Sequence, residues 1–178
     1  MNMRKILFIL IASFAISCTN NGVTVTFDDE KSNAIRAHYQ NYLNNDIDGL
    51  KSLWSPDLKI YMNSPDASGV DDISSLITSQ HENFDNISMT FQDDEGGEDL
   101  GVWVQTIIYP ANNGYPETTM TQTWFTWNAT GKASGNTLEV PAHIGFEWAD
   151  GKIIKEWHNF DPSGMMAEFE LAASQSEE

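Results

Sequence analysis

The chain has 178 residues, which is enough for one domain with a substantial core and too few for two comfortable ones. With 40% hydrophobic and 11% aromatic residues, the composition excludes an intrinsically disordered polymer. A formal charge of −17 argues against nucleic acid as a partner, because such binding depends on neutralising phosphates with Lys and Arg.

In chain order, "MNMRKILFILIASFAISC" comes first, with Arg4 and Lys5 ahead of an apolar run from Ile6 to Ile16. That pattern reads as an export leader over residues 1–17, too short for a stable membrane span. Its ending "AISC" resembles a bacterial lipobox, which implies that Cys18 is lipidated and becomes the new N-terminus; the alternative is an ordinary secretory leader cut nearby. Cys18 is the only cysteine, so no internal disulfide is available and stability must come from the core. Lipid on Cys18 would tether the chain to a membrane in the bacterial cell envelope, facing the periplasm or the cell surface. Removing residues 1–17 takes away two cations and no acid, which moves the charge from −17 to −19. Anionic headgroups repel such a domain, so membrane attachment rests on the lipid anchor only.

Residues 18–32 follow as the lipidated Cys and a polar tether, and the domain proper is expected over 33–171, with a frayed tail at 172–178. Ile35, Tyr39, Tyr42 and Leu43 share one helical face, so the spacing predicts a helix over 33–45, capped by Ser32 or Asp29. "NDIDGLKSLW" reads as a short second helix that Pro56 ends, and "LKIYM" as a first strand. Ser68 is placed to cap a third helix over 71–85.

From residue 87 the period changes to two. Strands are expected at "ISMTF", "LGVWVQTIIYPA", "TTMTQTWFTWNAT", "TLEVPAHIGFEWA" and "KIIKEWHNFD", the last two joined by an Asp150-Gly151 hairpin turn. The acidic stretch "DDEGGED" has no spacing of an oxygen-ligand calcium loop and reads as a solvated turn. "PSGMMAEFELAA" closes the chain as a helix. This order implies an α+β fold: three N-terminal helices against one strongly curved antiparallel sheet, a cone-shaped half-barrel with a pocket between sheet and helices.

"YLNNDIDGLKSLWSPDLKIYM", "SGVDDISSLI" and "FEWADGKIIKEWHNFDPSGMM", in that order, resemble segments of the nuclear-transport-factor-2-like superfamily, and most of all its SnoaL-like branch, named after a polyketide cyclase. The resemblance covers about residues 33–170 and implies the same cone. Ketosteroid-isomerase relatives carry a base Asp before a Pro after the first strand. Here that place reads "MNSP", so Asn63 and Ser64 precede Pro65 and steroid-type isomerisation is disfavoured. In SnoaL-like cyclases a His stands on the penultimate strand and an acid on the last; the matching residues are His143 and His158. His158 replaces the acid, but histidine exchanges protons near neutrality. Asp161 or Glu156 would have to orient it.

Strand parity bears on these candidates. Leu138, Val140, Ala142, Ile144, Phe146 and Trp148 share one face, which sends His143 outward unless Pro141 marks a bulge that shifts the register. On the last strand neither alternating set is cleanly apolar. Asp161 before Pro162 also suits a structural role at the start of the closing helix. Tyr39, Trp54, Tyr61 and Trp124 are the candidate ligand-binding aromatics. No metal motif, phosphate loop or Ser or Cys nucleophile motif appears, so no cofactor is expected. Three functional readings follow: a module that binds a small apolar or aromatic molecule; a cyclase- or isomerase-type enzyme using His158; and a scaffold that forms a homodimer through the sheet.

Overall fold

Asp29 sets where the first helix begins. Its carboxylate accepts hydrogen bonds from the Lys31 and Ser32 backbone N–H groups at 2.9 and 3.1 Å and from the Thr26 and Ser32 hydroxyls at 2.7 Å. Partial burial works to raise its pKa, but these bonds outweigh it and hold the carboxyl well below the usual carboxylate range. The computed structural model describes residues 22–92 and 100–176; the leader, Cys18 and the acidic stretch 93–99 lie outside the described residues.

Helix α1 spans Glu30–Leu43. The segment expected as a tether is in part built into the domain. Thr24–Thr26 forms strand β1, which pairs antiparallel with β5 (Trp103–Tyr109) at Thr24↔Ile108 through Thr26↔Thr106. Helix α2, Ile47–Lys51, is capped by Asp46, which accepts the Gly49 N–H at 2.8 Å. Strand β2 runs Trp54–Met62, starting earlier than expected and passing through Pro56. The proline is tolerated because the ladder to the last strand is interrupted between Trp54 and Lys59, where no N–H is required of it.

The short strand β3, Ala67–Ser68, leads into α3, Val70–Asn83. Its N-cap is Gly69, not Ser68, and the Asp72 carboxylate accepts the Gly69 N–H at 3.1 Å. Strands β4 (Phe84–Thr90), β6 (Thr118–Gly131), β7 (Thr137–Ala149) and β8 (Lys152–Phe160) follow, and α4, Ser163–Ser176, extends into the segment expected to fray.

The strands form one open, curved sheet in the order β1-β5-β6-β7-β8-β2-β3. One edge of β6 serves two partners, β5 along Thr118–Trp124 and β4 along Thr126–Gly131. Pairing is antiparallel except between β2 and β8. The architecture is thus the α+β cone that the element order implied. At the β7–β8 turn Asp150 and Gly151 have φ of +50° and +73°, the left-handed pair a two-residue hairpin demands.

Two features of register decide what faces inward. Strands β6 and β7 pair without a slip from Thr119↔Trp148 to Thr130↔Thr137, so Pro141 makes no bulge and parity holds along β7. Strand β8 does slip: Glu147 pairs with Lys155 but Trp148 with Ile153, leaving Ile154 as an extra residue. Ile153 and Glu156, of opposite parity, are therefore both buried, at 0% and 2% exposure. This bulge is why neither alternating set of β8 looks apolar. Ile35, Leu50, Ile60 and Phe146 complete the most deeply buried core.

Candidate functional site

Val140, Ala142, Ile144 and Phe146 of β7 line a cavity of about 100 Å³ between the inner sheet face and helices α1, α3 and α4. An apolar cavity of about 150 Å³ is known to hold a benzene ring, and this space is about two-thirds of that. Its wall is mostly hydrocarbon and aromatic, interrupted by His38, Tyr39, Tyr42, Gln80, Glu156 and His158.

Some of these polar groups are spent on the fold. The Tyr39 hydroxyl is hydrogen-bonded to Thr123 Oγ1 at 2.7 Å, and Thr123 in turn donates to the Ile144 carbonyl at 3.1 Å. Burial pushes the Tyr39 phenol well above its ordinary pKa, so it stays neutral. Trp127 Nε1 donates to the Tyr42 hydroxyl at 2.8 Å, which donates to Gln80 Oε1 at 3.0 Å. Burial raises the Tyr42 pKa as well, against the hydrogen bond from Trp127.

Glu156 and His158 are different. Two apart on β8, they share the inner face, and His158 Nε2 lies 2.7 Å from Glu156 Oε2. The other carboxylate oxygen accepts the Trp54 indole N–H at 2.7 Å. Trp54 reaches it from β2, which the parallel β2–β8 pairing places alongside. A buried carboxylate is costly unless its oxygens are hydrogen-bonded, and here each oxygen has its partner.

His38, on α1, is the residue that sequence reasoning missed. It is buried, lines the same cavity, and its Nδ1 has no hydrogen-bond partner among the described residues. Its ring packs edge-on against Trp54 at 5.4 Å and Phe146 at 6.3 Å. Burial lowers its pKa to about 4; the Glu156 charge pulls it up and His158 pushes it further down. The available signal was helical: His38 is three residues from Ile35 and next to Tyr39, on the face that packs inward.

The sequence-predicted residues divide sharply. His158, Tyr39 and Trp54 line the cavity. Asp161 does not orient His158: it is exposed and accepts from the Ser163 N–H at 3.0 Å and the Ser163 hydroxyl at 2.6 Å, holding the start of α4. Those bonds lower its pKa. His143 is corrected to the outer face, where it bonds Gln122 Oε1 at 2.9 Å and stacks on Trp124 at 4.8 Å. Unbroken register along β7 leaves it no way inward. Trp124 shares that outer face because Phe125 and Trp127, of opposite parity, take the inner one. Tyr61 also stands outside the cavity, stacked on Trp157 at 6.0 Å.

Among the described residues no group of three or more His, Cys, Asp or Glu side chains is placed to hold a metal ion. What the site offers is a histidine–carboxylate pair facing an apolar space, the minimum equipment for proton transfer to and from a bound carbon acid.

Comparison with known proteins agrees with this fold. The family model described as SnoaL-like domain matches residues 35–156. No curated protein matches the chain. Among solved structures, IdmH from Streptomyces antibioticus, a candidate polyketide cyclase, is similar with a TM-score of 0.55 and 16% identity, over 79% of this chain and 99% of that one. A nuclear-transport-factor-2-like protein of Burkholderia pseudomallei is similar at 0.53 and 12% identity, over 79% and 97%. A candidate isomerase from Bacillus subtilis is similar at 0.53 and 14%, over 77% and 90%. At such identities the likeness concerns the fold alone.

Proposed function

The chain belongs to the SnoaL-like domain family, and from that premise we propose that it binds a small, largely apolar carbonyl compound in its cavity and moves a proton on it with the Glu156–His158 pair. One observation carries the reading: a histidine and a carboxylate at 2.7 Å on the wall of an apolar cavity. With Glu156 as acceptor, the His158 proton sits on Nε2 and the Nδ1 lone pair is the base. It takes a proton from the carbon next to the ligand's carbonyl, giving an enol or enolate and an imidazolium that Glu156 stabilises. Return of that proton at another carbon completes an isomerisation; attack of the enolate on a second carbonyl of the same molecule forms the ring, and the resulting alkoxide takes the proton back from the His158 imidazolium to complete a cyclisation. Trp54 holds Glu156 in place throughout. Such acid–base assistance is worth about 10²–10⁴ in rate.

The test uses cyclohexanone as probe, in deuterium oxide, following loss of its α-hydrogens by proton NMR. The protein should accelerate exchange, and His158→Ala should reduce the acceleration by about 10²–10⁴-fold. Equal exchange by the variant would refute the role of His158. Binding of cyclohexanone without exchange would favour the second reading, a non-catalytic binding module, for which the apolar lining speaks.

We further propose that the chain is exported and anchored through lipid on Cys18, a reading that rests on the charged, apolar and cysteine-terminated pattern of residues 1–18. Among the described residues no helix is long and apolar enough to cross a membrane. Replacing Cys18 by Ala should move the protein from the membrane to the soluble fraction; unchanged membrane association would refute the anchor.

A further inference from the structure

Every buried polar group on the cavity wall that the fold uses has a partner, and His38 Nδ1 does not. An unpaired buried polar atom is a standing cost, typically relieved by a ligand or ordered water. A helix position with hydrocarbon on the inner face, beside Ile35 and Tyr39, would be better served by Leu or Met if packing were its only task. The ring also packs edge-on against Trp54 and Phe146, which limits how it can turn. Trp54 is the same residue that holds Glu156. One indole therefore fixes both the carboxylate of the proposed proton-transfer pair and the flank of His38.

We propose that His38 donates a hydrogen bond to the carbonyl oxygen of the bound molecule, making it the group that selects an oxygen-bearing ligand and faces the charge that develops on that oxygen when His158 removes a proton. The inference rests on the proposed reading of the site. Its burial, which holds the imidazole neutral at pH 7, suits this role: a neutral imidazole donates one hydrogen bond without bringing a second cation into an apolar cavity. The Tyr39 and Tyr42 hydroxyls are already engaged with Thr123 and Gln80, and the Gln80 amide with Met165, which leaves the His38 N–H for the ligand. The ligand class that follows is a compact, uncharged ketone, aldehyde or enone, with one oxygen directed at α1 and hydrocarbon elsewhere.

The experiment compares cyclohexanone with methylenecyclohexane, which has the same shape and no oxygen, by ligand-observed NMR titration of the full chain. Relative to the alkene, wild-type protein should bind the ketone roughly tenfold better than a variant without the His38 N–H, the ratio one neutral hydrogen bond supports. His38→Leu should erase that advantage while leaving methylenecyclohexane affinity within about twofold, and His38→Gln, which keeps a donor, should restore part of it. The carbonyl carbon of [1-¹³C]cyclohexanone should shift downfield on binding to wild type and less on binding to His38→Leu. His158→Ala should keep the ketone preference, which separates this role from the proton-transfer reading: loss of exchange with retained preference leaves His38 in place. An unchanged ketone-to-alkene affinity ratio in His38→Leu would overturn the assignment. Failure of both probes to bind wild type would overturn it together with the cavity reading.

Discussion

Glu156 and His158 face each other at 2.7 Å across two positions of one strand, and the same carboxylate holds Trp54 from a neighbouring strand at 2.7 Å. Removing Glu156 therefore does two things at once. Glu156→Gln keeps an acceptor for the indole, so we expect proton exchange on cyclohexanone to fall by 10-fold or more, with unfolding in urea changed by about 1 kcal/mol or less. Glu156→Ala leaves the Trp54 N–H and the His158 N–H unpaired in a buried wall, and should cost about 2–4 kcal/mol in the same urea titration. Equal stability of the two variants would show that the indole hydrogen bond is not made.

The neutrality of His38 predicts an acid-sensitive fold. Burial lowers its pKa from 6.5 to about 4, so on acidification the unfolded chain takes up the proton first. Stability should fall as pH drops from 6.5 towards 4, by on the order of 3 kcal/mol for the whole shift. Urea midpoints of wild type and His38→Gln at pH 7 and pH 4.5 test this. The variant should show the shallower decline, and parallel declines would contradict it.

Asp29 predicts a further loss of stability at still lower pH. Its carboxyl is held below its ordinary 3.8 in the folded chain, so its contribution is present above that pH and fades as pH falls below it. Asp29→Ala removes the cap of α1 and should cost about 1 kcal/mol at pH 7. The difference from wild type should shrink at pH 3 in thermal unfolding. A cost that is the same at both pH values would assign the loss to something other than the charged cap.

Gly131 is a packing prediction. A Cβ there would overlap the Glu168 carboxylate, which accepts the Ala133 and Ser134 N–H groups at 2.6 and 3.2 Å. Gly131→Ala should destabilise by about 1–3 kcal/mol. In a Glu168→Ala background the added cost should largely vanish, because the two residues compete for one space. Additive costs would show that the carboxylate is not what the methyl group meets.

Asp161→Ala should leave proton exchange within about twofold of wild type, since its carboxylate engages only Ser163 at the surface. A loss matching that of His158→Ala would return Asp161 to the site.

Much of the architecture was legible in the residues because periodicity is local. The three-to-four spacing of α1, the alternation of β6 and β7 and the Asp150-Gly151 turn each arise from neighbours along the chain, and β7 spans the expected 137–149. Parity alone already directed Val140, Ala142 and Ile144 inward and His143 outward. Parity on β6 was equally available, and it places Trp124 outside the inner cavity once Phe125 and Trp127 are inside.

Tertiary structure decided the rest, because the site is assembled across elements. The extra residue at Ile154 reverses parity within β8, and only the ladder to β7 reveals it. Trp54 meets Glu156 because two strands far apart in sequence lie parallel, a pairing no local pattern encodes. The structural role of Asp161 at the start of α4 was already offered by the sequence, but that Glu156 is the partner of His158 rests on the two side chains meeting on the folded strand. Beyond its helical spacing, nothing local singles out His38 on α1; that its nitrogen is left unpaired is a property of the surrounding walls, which exist only once the chain has closed around them.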